Sequence, residues 1–266
     1  MHSKIYGKGY ETMEYPNSLK KQISNEKLLL GSVLHAPTSL VASTTCKANI
    51  DFMWIDTEHF AFSIEDLDMI PIIARQRGVA PMIRVAWNDP GLIKKAYDIG
   101  AVAVMVPQVN TVEEAERAVQ YARYAPEGQR GISPYWAANA GLDFNEVVKS
   151  ANSETVLVVQ IESKEAYDNL DAIAQVKGID VLFVGPTDLS ATLGVITETG
   201  SPEVQSIMRD VPKRLEGTGI MAGTTLNDIH DIQEKIDWGY RYINVGSPLS
   251  YGVETLQEHL NVLRRT

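Results

Sequence analysis

The chain has 266 residues, 44% hydrophobic and 22% charged, with a formal net charge of −10. This is ordinary globular composition, and its acidity argues against a nucleic-acid backbone or an anionic membrane as the main partner, while leaving room for a local cationic pocket. A single cysteine, Cys46, excludes an internal disulfide and a Cys-rich zinc site.

Residues 1–24 are polar and lack the apolar core of a signal peptide, so they read as an extension ahead of one domain spanning 25–266. With no run of 18 apolar residues, no spanning helix is expected, and a cytoplasmic protein follows. Short apolar runs then alternate with amphipathic segments. The expected strands are LLLGSVL (28–34), FMWID (52–56), PMIRV (81–85), VAVMV (102–106), VLVVQI (156–161), VLFVG (181–185), IMAGT (220–224) and YINVG (242–246). Between them lie helical patterns such as SIEDLDMIPIIARQRG, TVEEAERAVQYARYA and SKEAYDNLDAIAQVKG. Thr111 and Glu114 stand at capping-box spacing. Gly78, Gly100, Gly178 and Gly239 each close a helix ahead of a strand. Eight such alternations without a linker predict a closed (β/α)8 barrel of the TIM type. An open doubly wound sheet is the runner-up, weakened by the lack of GxGxxG after the first strand. One segment, residues 125–144, breaks the rhythm as a Gly- and aromatic-rich excursion placed after the fourth strand and before the next helix, where a functional loop is expected.

In a barrel the strands' C-terminal ends carry the chemistry. Here the second strand ends in Asp56, Glu58 and His59, the third in Arg84, the fourth in Pro107 and Gln108, the fifth in Gln160 and Glu162, and the sixth in GPTDLS with Asp188. Each has a plain structural reading: Asp188 as a helix N-cap, Glu162 as a first-turn acid, Arg84 as a cation reaching solvent. Their convergence on one rim favours a site.

Glu162 and Asp188 suit a hard divalent cation that also takes waters and substrate oxygens, as Mg²⁺ does. Pro186 presets the turn, and the free N–H groups of Thr187 and Asp188 offer an anion dock. With Arg84 added, the set describes a site for a 2-oxo acid, in which metal and guanidinium stabilise the charge of a forming enolate. His59 oriented by Asp56 then serves as the acid–base pair.

These motifs resemble the HpcH/HpaI aldolases, metal-dependent class II pyruvate aldolases related to 4-hydroxy-2-oxoheptanedioate aldolase, 2-dehydro-3-deoxyglucarate aldolase and macrophomate synthase. The resemblance runs from about Leu30 to the C-terminus through IDTEH (55–59), RVAWNDP (84–90), VPQV (106–109), YARYAPEGQRG (121–131), QIES (160–163) and GPTDLS (185–190). It implies that Glu162 and Asp188 bind Mg²⁺, Mn²⁺ or Co²⁺, that Arg84 stabilises the enolate oxygen, and that Gln160 lies beside pyruvate. It implies also that His59 and Asp56 form the acid–base dyad and that Asp98 reaches a neighbouring subunit's site. Gly185, Pro186 and Thr187 are expected at the substrate. A homo-hexamer of dimers that swap the last barrel helix is a further implication.

There are departures. The eighth strand runs VGSPLSYG, where Pro248 reshapes a rim at which relatives usually carry Asp. Tyr135 and Trp136 stand where relatives have small or basic residues; they either pack under the long loop or line the substrate mouth. In the second case a flatter acceptor is implied, and the alternative of an oxaloacetate decarboxylase or a macrophomate-synthase-like enolate-capturing synthase gains ground. A non-catalytic phosphate-binding barrel built on AGTTLND and NVGSPLS is a third reading, which leaves the carboxylates, His59 and Arg84 without a joint purpose. A Schiff-base aldolase is disfavoured because no expected strand carries an apolar-face lysine.

Overall fold

A computed structural model of the chain describes residues 13–265. Eight parallel strands close on themselves in sequence order: β1 (Leu29–Leu34), β2 (Phe52–Asp56), β3 (Ala80–Arg84), β4 (Ala103–Val106), β5 (Val156–Ile161), β6 (Val181–Val184), β7 (Met221–Thr225) and β8 (Tyr242–Asn244). This is the (β/α)8 barrel, with each strand shifted by no more than two residues at either end from its expected range. The helices, in chain order, begin with α1 (Leu19–Ser24), α2 (Ser39–Thr45), α3 (Ile70–Gln76), α4 (Pro90–Asp98) and α5 (Val112–Ala122). They continue with α6 (Trp136–Asn139), α7 (Phe144–Glu154), α8 (Lys164–Asp168) and α9 (Leu170–Ile173). The last four are α10 (Pro186–Thr192), α11 (Pro202–Arg214), α12 (Ile229–Trp238) and α13 (Pro248–Leu263).

Strand side chains alternate between two cores. Phe52, Trp54, Met82, Val156, Val158, Val181, Phe183 and Tyr242 fill the barrel interior. Met53, Ile55, Ile83, Val104, Leu157, Val159 and Leu182 face outward to the helices. The interior is tight: Phe52 stacks on Tyr242 at 4.0 Å between ring centroids, and a Cβ at Gly31 would come within 2.1 Å of the Phe52 ring. Glycine there is a packing requirement.

The capping box at Thr111 and Glu114 forms. Gly78, Gly100, Gly178 and Gly239 all have positive φ, from 73° to 113°, which only glycine adopts readily. Two expected helices are each broken. Pro71 lacks an N–H, so α3 starts only at Ile70 after a separate 3-10 turn, Ile64–Leu67. The segment after β5 divides into α8 and α9 at Asn169.

The N-terminal end of the barrel is closed by α1. Leu19 and Ile23 are buried among the interior residues, and Lys20 Nζ donates to the Asn152 and Thr155 carbonyls at 3.2 and 3.0 Å. The expected extension packs on the barrel from Met13 onward, with Tyr15 5.9 Å from the Trp136 ring and Asn17 N–H donating to Glu154 Oε1 at 2.9 Å, and its residues 1–12 lie outside the described residues.

The excursion over 125–144 does not follow a strand. It follows α5, which has already run back from the catalytic rim, so it lies at the opposite, N-terminal end of the strands. No helix among the described residues is long and apolar enough to cross a membrane.

Candidate active site

Because the interior set of β2 is Phe52 and Trp54, the next interior position is Asp56; on β3 it is Arg84 after Met82, and on β5 Gln160 after Val158. Register then brings Asp56 directly opposite Arg84. Arg84 Nε donates to Asp56 Oδ1 at 2.9 Å and Nη2 to Oδ2 at 2.6 Å, a bidentate pair with both side chains more than nine-tenths buried. Arg84 Nη1 reaches Glu58 Oε2 at 3.1 Å and donates to Gln160 Oε1 at 3.4 Å, and the guanidinium lies 4.7 Å from the Trp54 ring centre.

The turn after β2 is tied to the same arginine. Thr57 donates from its N–H (3.0 Å) and its hydroxyl (2.7 Å) to the Arg84 carbonyl, while Glu58 N–H donates to Asp56 Oδ1 at 3.0 Å. Asp56 is thus committed to Arg84 and the turn. No hydrogen bond joins it to His59 among the described residues. The carboxylate facing His59 is Glu58, with Nε2 and Oε2 separated by 3.7 Å.

Glu162 is buried at the end of β5. Its Oε1 accepts from the Gln108 backbone N–H at 2.7 Å, and its Oε2 from Gln160 Nε2 at 2.7 Å. Gln108 holds φ at +57°, a left-handed conformation uncommon for a non-glycine residue, and this turns its amide toward the carboxylate. Gly185 makes room beside it: a Cβ there would lie 3.1 Å from both Cβ and Oε2 of Glu162. Pro186 opens α10 and is buried, Thr187 is exposed, and Asp188 is half-buried in the first turn. Burial pushes the Glu162 carboxyl up to about 7, helped by the charges of Glu58 and Asp188 and opposed by the Gln108 amide and Arg84. Burial likewise pushes Glu58 up to about 7 against the pull of Arg84, with Asp56 and Asp188 adding to the rise.

Four carboxyl groups, Asp56, Glu58, Glu162 and Asp188, therefore share one rim with the buried Arg84. Among the described residues no three His, Cys, Asp or Glu side chains form a ready-made metal cage. A donor pair of Glu162 and Asp188 fits an ion that keeps several waters and substrate oxygens. Each Glu162 oxygen retains a lone pair beyond its one hydrogen bond.

Two expected substrate residues lie elsewhere in this chain, as does Asp98, whose expected role is toward a neighbouring subunit. Trp136 does not line the mouth: it is 3% exposed and stacks under Arg75 at 4.0 Å, whose guanidinium is paired with Glu154 at 2.7 Å and donates to the Gly100 carbonyl at 2.6 Å. Tyr135 is 74% exposed beside it, at the same N-terminal end of the barrel. Helix direction is the reason, since a segment that follows α5 starts far from the rim. Asp98 closes α4 at this end too, 3.4 Å from Arg130 Nη2, and burial pushes it up to about 6 against the pull of Arg130. Arg130 is itself held over the rings of Tyr97 and Tyr124 at 4.6 and 4.3 Å.

The sequence reading gave no task to Gln108 or Glu58. Counting by twos along β2 from Phe52 reaches Glu58 after Asp56, a signal present in the sequence; the backbone twist at Gln108 has no such signal.

A closed parallel barrel whose inner C-terminal rim carries a clamped arginine beside buried carboxylates is an enzyme of the (β/α)8 class. The HpcH/HpaI aldolase/citrate lyase model matches residues 33–252, and the chain belongs to that family of lyases. It is 35% identical over 250 residues to a 2-keto-3-deoxy-L-rhamnonate aldolase of Salmonella gallinarum, covering 93% of each chain. It is 33% identical over 242 residues to a hydroxypyruvate/pyruvate aldolase of Roseobacter denitrificans, covering 90% of this chain and 94% of that one. Among solved structures, a HpcH/HpaI aldolase/citrate lyase family protein from Burkholderia cenocepacia superposes with a TM-score of 0.87 at 29% identity, over 93% of this chain and 99% of that one.

Proposed function

We propose that the protein is a divalent-metal-dependent class II aldolase that cleaves 4-hydroxy-2-oxo acids to pyruvate and an aldehyde, and runs the reverse condensation, through a pyruvate enolate. The observation that carries this reading is the meeting of the Asp56-clamped Arg84 with Glu162, a buried carboxylate held near neutrality, on one inner rim. Family membership and the names of the two aldolase relatives support it.

In this reading Glu162 and Asp188 hold the cation, Mg²⁺, Mn²⁺ or Co²⁺, and the bound ion supplies Lewis-acid polarisation of the substrate ketone. Arg84 has N–H groups beyond those given to Asp56 and Gln160, and in this reading they serve the oxygen on which negative charge grows. Because Asp56 fixes the guanidinium in advance, little reorganisation accompanies that charge. Gln160 lies between Arg84 and Glu162 and sets the spacing of the two. Gly185 admits Glu162 to the pocket, and the first-turn amides after Pro186 lie on the side where the substrate carboxylate would dock. His59, on the exposed side of the rim, moves the proton between substrate and solvent.

Assembly belongs to the same proposal. The 16-residue α13 has no buried residue, and Leu249, Tyr251, Val253, Leu256 and Val262 are all exposed. An apolar helix of that length is stabilised by packing rather than by propensity alone. A second copy of the chain is the partner proposed here, in a homo-oligomer that exchanges α13.

The test is turnover of EDTA-treated protein with and without Mg²⁺ or Mn²⁺, on 4-hydroxy-2-oxo acids of varied aldehyde portion and on oxaloacetate. Metal-dependent release of pyruvate from the hydroxy-oxo acids, lost in Glu162→Gln, is the expected result. Faster decarboxylation of oxaloacetate with no aldol cleavage would move the assignment to the decarboxylase or synthase alternative.

A further inference from the structure

Resting on the reading of Glu162 as a metal ligand, we infer that Asn110 is a positioning residue of that carboxylate, acting through the backbone of Gln108. The Gln108 N–H donates to Glu162 Oε1 at 2.7 Å, and it does so from a φ of +57°. An L side chain disfavours that conformation, because its Cβ crowds the carbonyl that follows, and glycine or asparagine is the usual occupant. Left to its own preference, Gln108 would relax to negative φ and turn its N–H off the carboxylate. The conformation persists because something outside the residue holds it.

Asn110 is placed to hold it, with all four of its hydrogen-bonding groups engaged. Its N–H donates at 2.7 Å to Glu114 Oε2, in the first turn of α5. Its carbonyl accepts at 2.8 Å from Asn169 Nδ2, at the junction of α8 and α9. Its Oδ1 accepts from the Ser163 hydroxyl, and its Nδ2 donates to the Gln108 carbonyl at 3.4 Å. Val109, between the two residues, is fully buried. Ser163 adjoins Glu162 in the chain and caps α8 by accepting from the Ala166 N–H at 2.9 Å. The turn after β4 is thus laced to the end of β5 twice, by the Gln108 amide on Glu162 and by Asn110 on the next residue. The two ties fix the direction from which Glu162 Oε1 receives its hydrogen bond, and so the direction in which its remaining lone pair faces a cation. A residue that only stabilised the loop would use the same bonds, but its loss would lower stability and leave the affinity for a cation unchanged.

The experiment is Mn²⁺ binding to the EDTA-treated full chain, measured as a Kd by EPR for wild type, Asn110→Ala, Gln108→Gly and the double variant. Asn110→Ala should weaken binding by about 10–100-fold, the range typical of losing an outer-shell partner of a metal ligand. Glycine takes the left-handed conformation readily, so in the Gln108→Gly background the same change should weaken binding by less than about threefold. An unchanged Kd in folded Asn110→Ala, or an equal loss in both backgrounds, overturns the proposal. Should Asn110→Ala fail to fold, Ser163→Ala takes its place, with Ser163→Thr expected to restore the Kd by returning the hydroxyl. No loss in Ser163→Ala, or no recovery in Ser163→Thr, overturns the proposal equally. A second readout is hydrogen exchange of the Gln108 amide in metal-free protein. It should be protected in wild type and exchange at least about tenfold faster in the variant that loosens the turn; equal protection in the two overturns the proposal. If wild type binds no Mn²⁺, the metal reading of Glu162 fails, and exchange of this amide still decides whether Asn110 holds it on the carboxylate.

Discussion

Arg84 gives two hydrogen bonds to Asp56 and approaches Glu58 with its remaining arm, so its planar fork is in use on both sides. Lysine cannot reproduce that fork. Arg84→Lys should keep the fold and lower kcat by about 10²–10³-fold, in the range seen when a preorganised donor to a developing oxyanion is removed; steady-state kinetics on purified, folded variant checks this. Glu162 and Glu58, both pushed up to about 7, give a pH dependence with a definite sign. A carboxyl that holds its proton more tightly when folded supports the folded state at low pH, below its unfolded value of about 4.3. That support is lost as pH rises through about 7. Metal-free protein should therefore lose thermal stability from about pH 5.5 to about pH 8, and added Mg²⁺ or Mn²⁺ should raise Tm more at the higher pH, where the carboxylates are charged and free to bind. Thermal unfolding with and without the ion measures it. Asp56, Arg84, Gln160, Glu162 and Asp188 were legible as rim residues because strand ends announce themselves. Their pairing was not, since spacing alone does not say which carboxylate an arginine takes.

At the scale of elements, strand and helix order was readable because parallel strands buried on both faces leave continuous apolar runs, as in FMWID and VLVVQI. Helix ends were readable where glycine adopts positive φ. The direction of the segment after α5 was the failure. Its aromatic residues allowed either packing under the loop or a substrate mouth, and Trp136 takes the packing role because the chain at that point has already returned to the N-terminal end of the barrel. There Trp136 covers Arg75, and Arg75 is paired with Glu154, both fully buried. Trp136→Ala should destabilise the protein by roughly 3–5 kcal/mol, through the cavity and the uncovered ion pair, and leave KM of the folded fraction unchanged. Tyr135→Ala should fall within about 0.5 kcal/mol of wild type. Denaturant unfolding of the two variants separates the cases, and a raised KM without lost stability in Trp136→Ala would return that residue to the substrate site.

For the whole molecule, α13 is an element the single chain does not bury. Removing residues 248–266 should reduce the assembly to smaller species in sedimentation or light scattering, while an unchanged mass would show that assembly, if any, uses another face. The acidic net charge and the barrel itself were legible from the outset. What covers α13 was not legible from periodicity, which shows that a helix has an apolar face and not whose core that face enters; only the family resemblance implied an exchange with another copy.

We propose that this rim forms a pyruvate enolate with a divalent ion held by Glu162 and Asp188. The most direct measurement is loss of the pyruvate methyl signal in D₂O, followed by NMR in EDTA-treated protein before and after addition of Mg²⁺ or Mn²⁺, with Glu162→Gln alongside. Exchange that requires the ion and is abolished in Glu162→Gln is the expected result. Folded wild-type protein that exchanges no proton with any divalent ion, or exchanges it equally well in EDTA, would contradict it.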